Sequence, residues 1–318
     1  MTGIYFGALS VLVPGVASRW DGTHKWDAPS AHIDRHAPID TRSHLGGVKH
    51  RYFNDTSRFS VAAARLCLGT DTKLAWHGND EERRGVIVGT TVADYAVRQC
   101  VDRDVLANGV GSVNAISAPN VSSNIASAYV SIECHARAFA TTLTSPFLAG
   151  LESLAVGFLT LRARKADTLL AIGVEEAVPH DDATITPGAV CICLQREPGK
   201  SGLAIVDIHC GHHMPGTTHP LGKNASRFLG AAVQSGALAP EFLLIRDRSA
   251  HSANTTHTWL QQAANAGLRA TPRELQLDDE GAVAPLLAAV PTFTGSNRTV
   301  LLAIFRNRYV ALSIAQST

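Results

Sequence analysis

Residues that could do chemistry lie at three places in the chain. Ser145 precedes a long apolar run, Glu175-Glu176 follows a stretch typical of a buried strand, and residues 209–213 read His-Cys-Gly-His-His. Ser145 is a good helix N-cap and Pro146 suits the first helical position, so we predict a helix that starts here and is buried on all sides to residue 161. A helix N-terminus stabilises an anionic nucleophile, but the sequence places no general base beside Ser145. Capping therefore explains Ser145 better than catalysis does.

The two other groups are weaker candidates for a site. Imidazoles and a thiolate are good zinc ligands, but neighbouring positions at the end of a strand point apart, and no His/Glu pair at helical spacing completes the set at 209–213. Glu175 and Glu176 would face opposite sides of a strand, so they cannot easily share a substrate. The sequence therefore predicts neither a metal site nor a carboxylate pair for acid–base catalysis.

The elements that must position these residues alternate between strand and helix patterns. Predicted strands cover residues 4–13, 85–91 and 168–176, and helices are predicted from residues 60, 92 and 125. Strand and helix patterns alternate in the same way beyond residue 188. There, residues 189–195 and 202–209 are predicted to be adjacent strands joined by a hairpin turn. The last strands, 299–305 and 309–314, form an antiparallel pair around Arg306-Asn307-Arg308. This pattern predicts an α/β chain with an internal duplication.

Composition excludes several classes of protein. A formal net charge of +1 over 318 residues gives no electrostatic basis for nucleic-acid binding. The apolar N-terminal run has no preceding Lys or Arg, so we interpret it as a strand rather than a signal peptide, and no apolar segment is long enough to span a bilayer. Six cysteines spread through apolar contexts indicate reduced core thiols. We expect a cytoplasmic protein that binds neither nucleic acid nor membrane.

Four segments in order carry a family resemblance. They are Gly85-Val86-Ile87-Val88-Gly89-Thr90, residues 121–132, Ala149-Gly150-Leu151-Glu152-Ser153-Leu154 and residues 171–176. Together they resemble β-ketoacyl synthases. The resemblance implies the thiolase fold: two pseudo-repeated halves in a layered αβαβα sandwich, here with a truncated second half. We place the halves at residues 1–183 and 184–318, within one compact unit that dimerises across a strand near the nucleophile. The resemblance also implies that the acid at the end of the strand is structural.

The family's catalytic residues are missing from the matching positions. The nucleophilic cysteine falls on Phe147, and no cysteine occurs between Cys134 and Cys191. The "HGTGT" histidine motif is replaced by Arg246-Asp247-Arg248-Ser249, the second histidine position reads Leu277-Asp278-Asp279-Glu280, and the "GFGG" turn reads Phe305-Arg306-Asn307-Arg308. These losses resemble the ketosynthase-β subunit, or chain length factor, of type II polyketide synthases. The short second half resembles the partner subunits of highly reducing, polyene-forming systems.

The resemblance implies a non-catalytic subunit that pairs with an active ketosynthase and shapes its polyketide tunnel. An acyl carrier protein would deliver its phosphopantetheine arm to the partner, and this chain would bind no cofactor directly. The candidate tunnel or gate residues are Ser117, Asn120, Val121, Asn124 and Phe147. A polar loop with packed small residues explains the first four equally well, and Phe147 is either a plug in the vacated nucleophile pocket or a core aromatic. These two roles of Phe147 are compatible.

Three other functions stay open. The first is a divergent acyltransferase that uses Ser145 or a displaced His251 or His257. The second is a structural scaffold that stabilises another component of a synthase. A zinc hydrolase is a distant third.

Overall fold

The computed structural model of the chain describes most of the sequence between residues 3 and 316. The described residues are 3–23, 37–46, 52–69, 80–116, 118–177, 185–200, 202–214, 221, 223–234, 241–266, 272–279, 281–294 and 299–316.

Among the described residues, the first half of the chain contains six strands and five helices. They are β1 (Ile4–Val13), β2 (Val16–Trp20), α1 (Arg42–Leu45), α2 (Asp55–Leu68), β3 (Arg84–Thr90), α3 (Tyr95–Asn108), α4 (Ile125–Glu133), β4 (Phe139–Thr144), α5 (Ala149–Arg162), β5 (Thr168–Glu175) and β6 (Gly188–Gln195). Capping residues set both ends of α2. Asn54 caps α2 by accepting a hydrogen bond from Ser57 N, and Gly69 ends this helix in the left-handed conformation.

The described part of the second half contains five strands and three helices. They are β7 (Leu203–His212), α6 (Lys223–Gln234), β8 (Glu241–Asp247), α7 (Ala250–Asn265), β9 (Arg273–Leu277), α8 (Val283–Thr294), β10 (Thr299–Phe305) and β11 (Arg308–Gln316). Ser249 caps α7 through a hydrogen bond from Ser252 N. In the described part of the chain, no helix is both long enough and apolar enough to cross a membrane.

The strand order shows the internal duplication. The first half runs β4-β3-β5-β6-β1 and the second, read from its own edge, runs β9-β8-β10-β11-β7, with β1 and β7 joining the two sets. The orientations also match, because β3 is parallel to β4 and β5 as β8 is to β9 and β10, while the last two strands of each set pair antiparallel. Both halves therefore repeat one topology, as the cadence predicted, and the shorter second half retains all five strands.

Helices and strands pack in five layers around three apolar cores. The central core lies between the two sets of strands and contains the buried faces of α5 and α8. A second core lies between the first set of strands and α2 and α4, and a third between the second set and α6 and α7. The α/β thiolase fold, with its αβαβα sandwich, is confirmed. It puts α5 at the centre of the molecule.

One sequence-based prediction about the strands was wrong. The strands β6 and β7 do not form a hairpin, because β1 pairs antiparallel with both of them and lies between them. The strand β6 pairs with β5 and β1. The division into halves at residues 1–183 and 184–318 stays a prediction. The short strands β2, β4 and β9 were not predicted at all.

Candidate functional site

The start of the central helix is a tight turn and not the predicted serine cap. The helix α5 begins at Ala149, after a three-residue turn in which Leu148 N–H donates to Pro146 O at 2.6 Å. Phe147, at the centre of this turn, has φ 63°, a left-handed conformation that costs a non-glycine residue about 1–2 kcal/mol. A side chain at Gly89 would overlap the carbonyl of Ala149, so the end of β3 packs directly against this turn.

The position that the family resemblance gives to the nucleophile is filled by an apolar ring. Phe147 is completely buried in the central core, beside the equally buried Leu148 and Leu151. Its ring stacks on Phe305 at the end of β10, with ring centroids 5.5 Å apart and planes inclined by 19°. The centre of the fold therefore carries an aromatic stack at this point and presents no thiol there.

Ser145 belongs to a polar network that joins the two halves. Its hydroxyl donates to Glu152 Oε2 at 2.6 Å, and Arg308 forms an ion pair with the other oxygen of the same carboxylate. Ser145 is buried, and its backbone carbonyl accepts a hydrogen bond from Thr91 Oγ1 at 3.3 Å. The predicted N-cap role of Ser145 was wrong, because its partner is the side chain of Glu152 one turn into α5. The contributions of Glu152 and Arg308 were missed, since 156 positions separate them.

The cysteines are not all core thiols, as the sequence had suggested. Cys67, Cys134, Cys191 and Cys193 are buried, whereas Cys100 and Cys210 are exposed. Desolvation, with a smaller contribution from the Glu152 carboxylate, raises the pKa of the Cys210 thiol to about 12. Because the thiolate is the reactive form, Cys210 is a poor surrogate nucleophile at neutral pH.

Both segments that resemble the histidine motifs carry carboxylates and no histidine. At the end of β8, Asp247 Oδ1 accepts a hydrogen bond from Ser252 Oγ, which also accepts one from Arg306 N at 2.6 Å. Before α8, the buried Asp279 accepts from Gly281 N at 2.8 Å and from Thr186 N at 2.6 Å. Both carboxylates accept hydrogen bonds from main-chain or hydroxyl groups, which is a structural use of a charged group.

The histidines considered as displaced catalysts lie in the outer layer. His251 and His257 are both exposed on α7, whose buried face packs into the core of the second half and not against α5. Both residues therefore lie outside the buried core that contains Phe147.

Two of the three histidines in the 209–213 segment, His209 and His213, contact hydroxyl groups. Tyr309 OH lies 3.0 Å from His209 Nε2, and the two ring nitrogens of His213 lie 3.2 and 3.3 Å from the hydroxyls of Thr255 and Thr258. Burial lowers the pKa of both His209 and His213. Within the described ranges, no three His, Cys, Asp or Glu side chains are grouped in a way that could hold a metal ion.

Glu175 and Glu176 point to different environments. Glu175 is fully buried and accepts hydrogen bonds from Thr91 N at 2.6 Å and Ala282 N at 2.8 Å, so it links the loop after β3 to the turn before α8. Burial raises the pKa of Glu175 despite these bonds. Glu176 accepts from Ala96 N at 2.9 Å and lines a cleft of about 380 Å³ beside α3, where burial raises its pKa to about 7. The pair does not share one site.

The predicted tunnel residues are distributed over several environments. Asn120 is buried and lines the cleft beside α3, Val121 is half-buried, and Asn124 is exposed at the start of α4. Phe147 lies in the central core and does not line that cleft. Ser117 lies outside the described residues. The isolated chain thus does not bring this set together around one described cavity, and their gating role stays a prediction.

Comparisons with known proteins give the same fold. The profile described as "Beta-ketoacyl synthase, N-terminal domain" matches residues 17–185, more than half of the chain. A search of curated proteins found no significant match.

Solved structures similar to this chain include ketosynthases and a chain length factor. "The ishigamide ketosynthase/chain length factor" superposes with a TM-score of 0.67 and 14% identity, covering 99% of this chain and 100% of that one. The ketosynthase assembly "AntDE:AntF" gives 0.71 and 12% identity, with 99% of each chain covered. A β-ketoacyl synthase from Burkholderia phymatum gives 0.55 and 12%, with full coverage of both chains. Identities this low establish the fold alone, and the profile match adds the family: the chain belongs to the β-ketoacyl synthase family.

Proposed function

We propose that this chain is the non-catalytic, chain-length-factor-type subunit of a type II polyketide synthase. The observation that carries the proposal is the placement of Phe147, a buried phenyl ring in the strained turn where the resemblance locates the nucleophilic cysteine. A phenyl ring cannot accept an acyl group, so a chain built this way needs another subunit for condensation. The turn itself is retained although the nucleophile is absent.

The carboxylates in the two segments that resemble the histidine motifs support the same conclusion. In a ketosynthase the two imidazoles stabilise the thioester oxyanion and assist decarboxylation. Asp247 and Asp279 are instead occupied by neighbouring hydroxyl and main-chain donors. A carboxylate facing a developing oxyanion would raise the activation barrier of condensation by charge repulsion. The cysteine and both histidines of a ketosynthase are therefore missing together.

An active ketosynthase is the partner that we assign to this subunit. The strand β4 lies at the edge of the sheet and, among the described strands, pairs only with β3, so its other side presents unpaired backbone groups. Such an edge needs a covering partner, and a strand of the ketosynthase would extend the sheet there. The titles of two structural neighbours name a ketosynthase/chain length factor and an acyl-carrier protein in complex with its ketosynthase. Phosphopantetheine of such a carrier would act on the partner, and this chain would need no cofactor.

The subunit would act passively, as a wall of the tunnel. Apolar lining favours a growing acyl chain by transfer from water, and one large side chain that intrudes stops growth by steric exclusion. Val121, Asn120 and Asn124 lie on the polypeptide that precedes α4 and β4, and therefore close to the proposed interface in sequence. Ser117 and Phe147 complete the predicted wall.

Native mass spectrometry of the chain co-expressed with the ketosynthase encoded beside it tests the partnership. We expect a one-to-one heterodimer with acyl mass confined to the ketosynthase. A homodimer that ignores the ketosynthase, or acyl mass on this chain, would contradict the proposal.

Opposed substitutions at one wall residue test the chain-length role. We expect Val121→Ala to lengthen the product and Val121→Phe to shorten it, because the two changes move the wall in opposite directions. Leu106→Ala serves as the control, since Leu106 is 88% exposed on α3. If the heterodimer forms but both Val121 variants leave the product length unchanged, the result would favour the scaffold function instead.

One contact favours a second candidate, acyl transfer by Ser145. Its hydroxyl donates to the Glu152 carboxylate at 2.6 Å, which is the arrangement of a nucleophile with a base. The second oxygen of Glu152 is bound by Arg308, and Ser145 is buried. Transfer of a labelled acyl group from carrier protein, lost in Ser145→Ala and kept in the buried control Ser153→Ala, would establish this activity.

A further inference from the structure

Positively charged side chains gather where the central helix α5 ends. Arg162 is the last residue of α5, and Arg164 and Lys165 lie in the turn that leads to β5. All three residues are exposed. None of them forms an ion pair with a carboxylate within the described part of the chain.

Two further arginines extend this group at the edge of the sheet where β3 and β5 begin. Arg83, just before β3, and Arg196, just after β6, lie 3.0 and 2.7 Å from the same oxygen of Asp167. Arg83 also donates to Arg164 O at 2.9 Å, which ties it to the turn after α5. Asp80 is the other carboxylate near Arg83. We call the five cations the cationic patch: Arg83, Arg162, Arg164, Lys165 and Arg196.

Ion pairs outside the cationic patch are arranged differently. Seven arginines each pair there with a carboxylate that no other arginine shares, namely Arg19, Arg58, Arg98, Arg137, Arg246, Arg248 and Arg308. The whole chain has a formal net charge of only +1. The excess of cations at the end of α5 is therefore a local feature and not a result of a basic composition. Because neighbouring like charges repel each other, an anionic partner would stabilise this arrangement.

The backbone and one ring hold the exposed cations in place. Arg164 N donates to Leu161 O at 3.0 Å and Lys165 N donates to Thr160 O at 3.1 Å, so the helix ends in a closed turn. Arg164 has φ 58° in this turn, a conformation in which glycine is the usual residue. The guanidinium group of Arg162 lies 5.8 Å from the centre of the Phe158 ring. The chain thus keeps an arginine where glycine would be less strained.

We propose that the cationic patch docks an acidic segment of a second protein, one that presents several Asp or Glu side chains. Arginine binds carboxylates through two parallel hydrogen bonds, which gives such a contact both strength and orientation. Nucleic acid fits this surface less well, because single strands stack their bases on exposed aromatic rings and Phe158 is only 2% exposed.

The position of the cationic patch separates this docking from acyl transfer. The helix α5 has 14 residues, so its end lies about 20 Å from the turn at Phe147. The patch is therefore a second surface, which neither the tunnel wall nor the open edge of β4 uses.

Fluorescence anisotropy with fluorescein-labelled poly-L-glutamate tests the proposal, on the purified chain and on its complex with the ketosynthase. We expect saturable binding to both, and weaker binding as the salt concentration rises. The triple variant Arg162→Gln/Arg164→Gln/Lys165→Gln should bind about tenfold more weakly, because three surface ion pairs are lost. The matched control is Arg103→Gln/Arg227→Gln/Arg273→Gln, which removes the same charge from exposed positions outside the patch. It should bind the probe as the natural chain does.

A single variant separates recognition from folding. Arg164→Gly should weaken binding of poly-L-glutamate about twofold, yet it should raise the Tm, because glycine suits φ 58°. Equal loss of binding in the two triple variants would show that only net charge matters, and it would overturn the proposal. Absence of binding to the ketosynthase complex, or tighter binding of a single-stranded oligonucleotide, would also overturn it. The titration on the purified chain requires neither a partner subunit nor a polyketide product, so its result is independent of the chain-length proposal.

Discussion

The rings of Phe147 and Phe305 stack with centroids 5.5 Å apart, and they join the turn before the central helix to the end of β10 in the other half. Aromatic pairs in this geometry contribute about 0.5–1.5 kcal/mol beyond their buried area. The contact between these two rings therefore helps to hold the two halves together.

Truncation of Phe147 should reveal its strained backbone. Both Phe147→Ala and Phe147→Gly lose the buried ring, at a cost of about 3–5 kcal/mol in the free energy of unfolding. Because φ at this position is 63°, we expect the glycine variant to be more stable than the alanine variant by about 1 kcal/mol. At Phe158, inside α5, the order should be reversed, because glycine is the poorer residue within a helix. Urea denaturation of the four variants measures both differences, and the same order at both positions would contradict the assignment.

A cysteine restored at the turn should not restore chemistry. We expect Phe147→Cys to release no carbon dioxide from malonyl carrier protein and to form no condensation product, because the two segments that resemble the histidine motifs contain no histidine. The assay is radiolabelled carbon dioxide release, with an active ketosynthase as the positive control. Measurable decarboxylation by the variant would show that this chain retains more of the machinery than we propose.

The Glu152–Arg308 ion pair should couple the two halves energetically. The pair is only partly exposed, at 19% and 33%, and it bridges α5 and β11. A double-mutant cycle with Glu152→Gln and Arg308→Met should give a coupling energy of about 1–2 kcal/mol. The exposed pair Arg137–Glu81 provides the control, with coupling below about 0.5 kcal/mol. Equal coupling energies in the two cycles would mean that the Glu152–Arg308 pair stabilises the protein no more than an exposed ion pair does.

Glu176 should make the protein less stable as the pH rises. Its pKa is raised from 4.5 to about 7 in the folded state, so the native protein holds a proton that the unfolded chain releases in this interval. Stability contributed by this group is therefore full below pH 4.5 and lost as the pH rises towards 7. The Glu176→Gln variant lacks this loss, so its stability relative to the natural chain should grow across the window, by up to about 3 kcal/mol at pH 8. The free energy of unfolding of both proteins is measured by denaturation at several pH values. The same pH dependence for both would refute the raised pKa of Glu176.

The close packing of β3 on α5 should not tolerate a side chain at Gly89. A Cβ there would overlap the Ala149 carbonyl, which belongs to a buried helix start that cannot move freely, so we expect Gly89→Ala to cost about 2 kcal/mol or more. Gly230 in α6 has no neighbour within 4 Å of the added atom, and Gly230→Ala should stabilise by about 0.5–1 kcal/mol. Thermal unfolding of both variants gives the comparison.

Sequence patterns alone were sufficient to predict the α/β class and the repeated alternation of strands and helices. These features depend on hydrophobic periodicity, which is a property of neighbouring residues. The absence of a cysteine between Cys134 and Cys191, and of any histidine after His257, could also be read without coordinates. Because the family resemblance rests on ordered motifs, it was equally accessible.

Tertiary structure decided what those residues contact. The separation of β6 and β7 by β1, the bond from Ser145 to Glu152, and the pairing of Glu152 with Arg308 all depend on segments far apart in the chain. The same holds for the cleft in which Glu176 and Asn120 meet. Local propensity reports whether a residue is suited to a helix, a strand or a cap, but the partner of a buried polar group is set by which surfaces close against each other on folding.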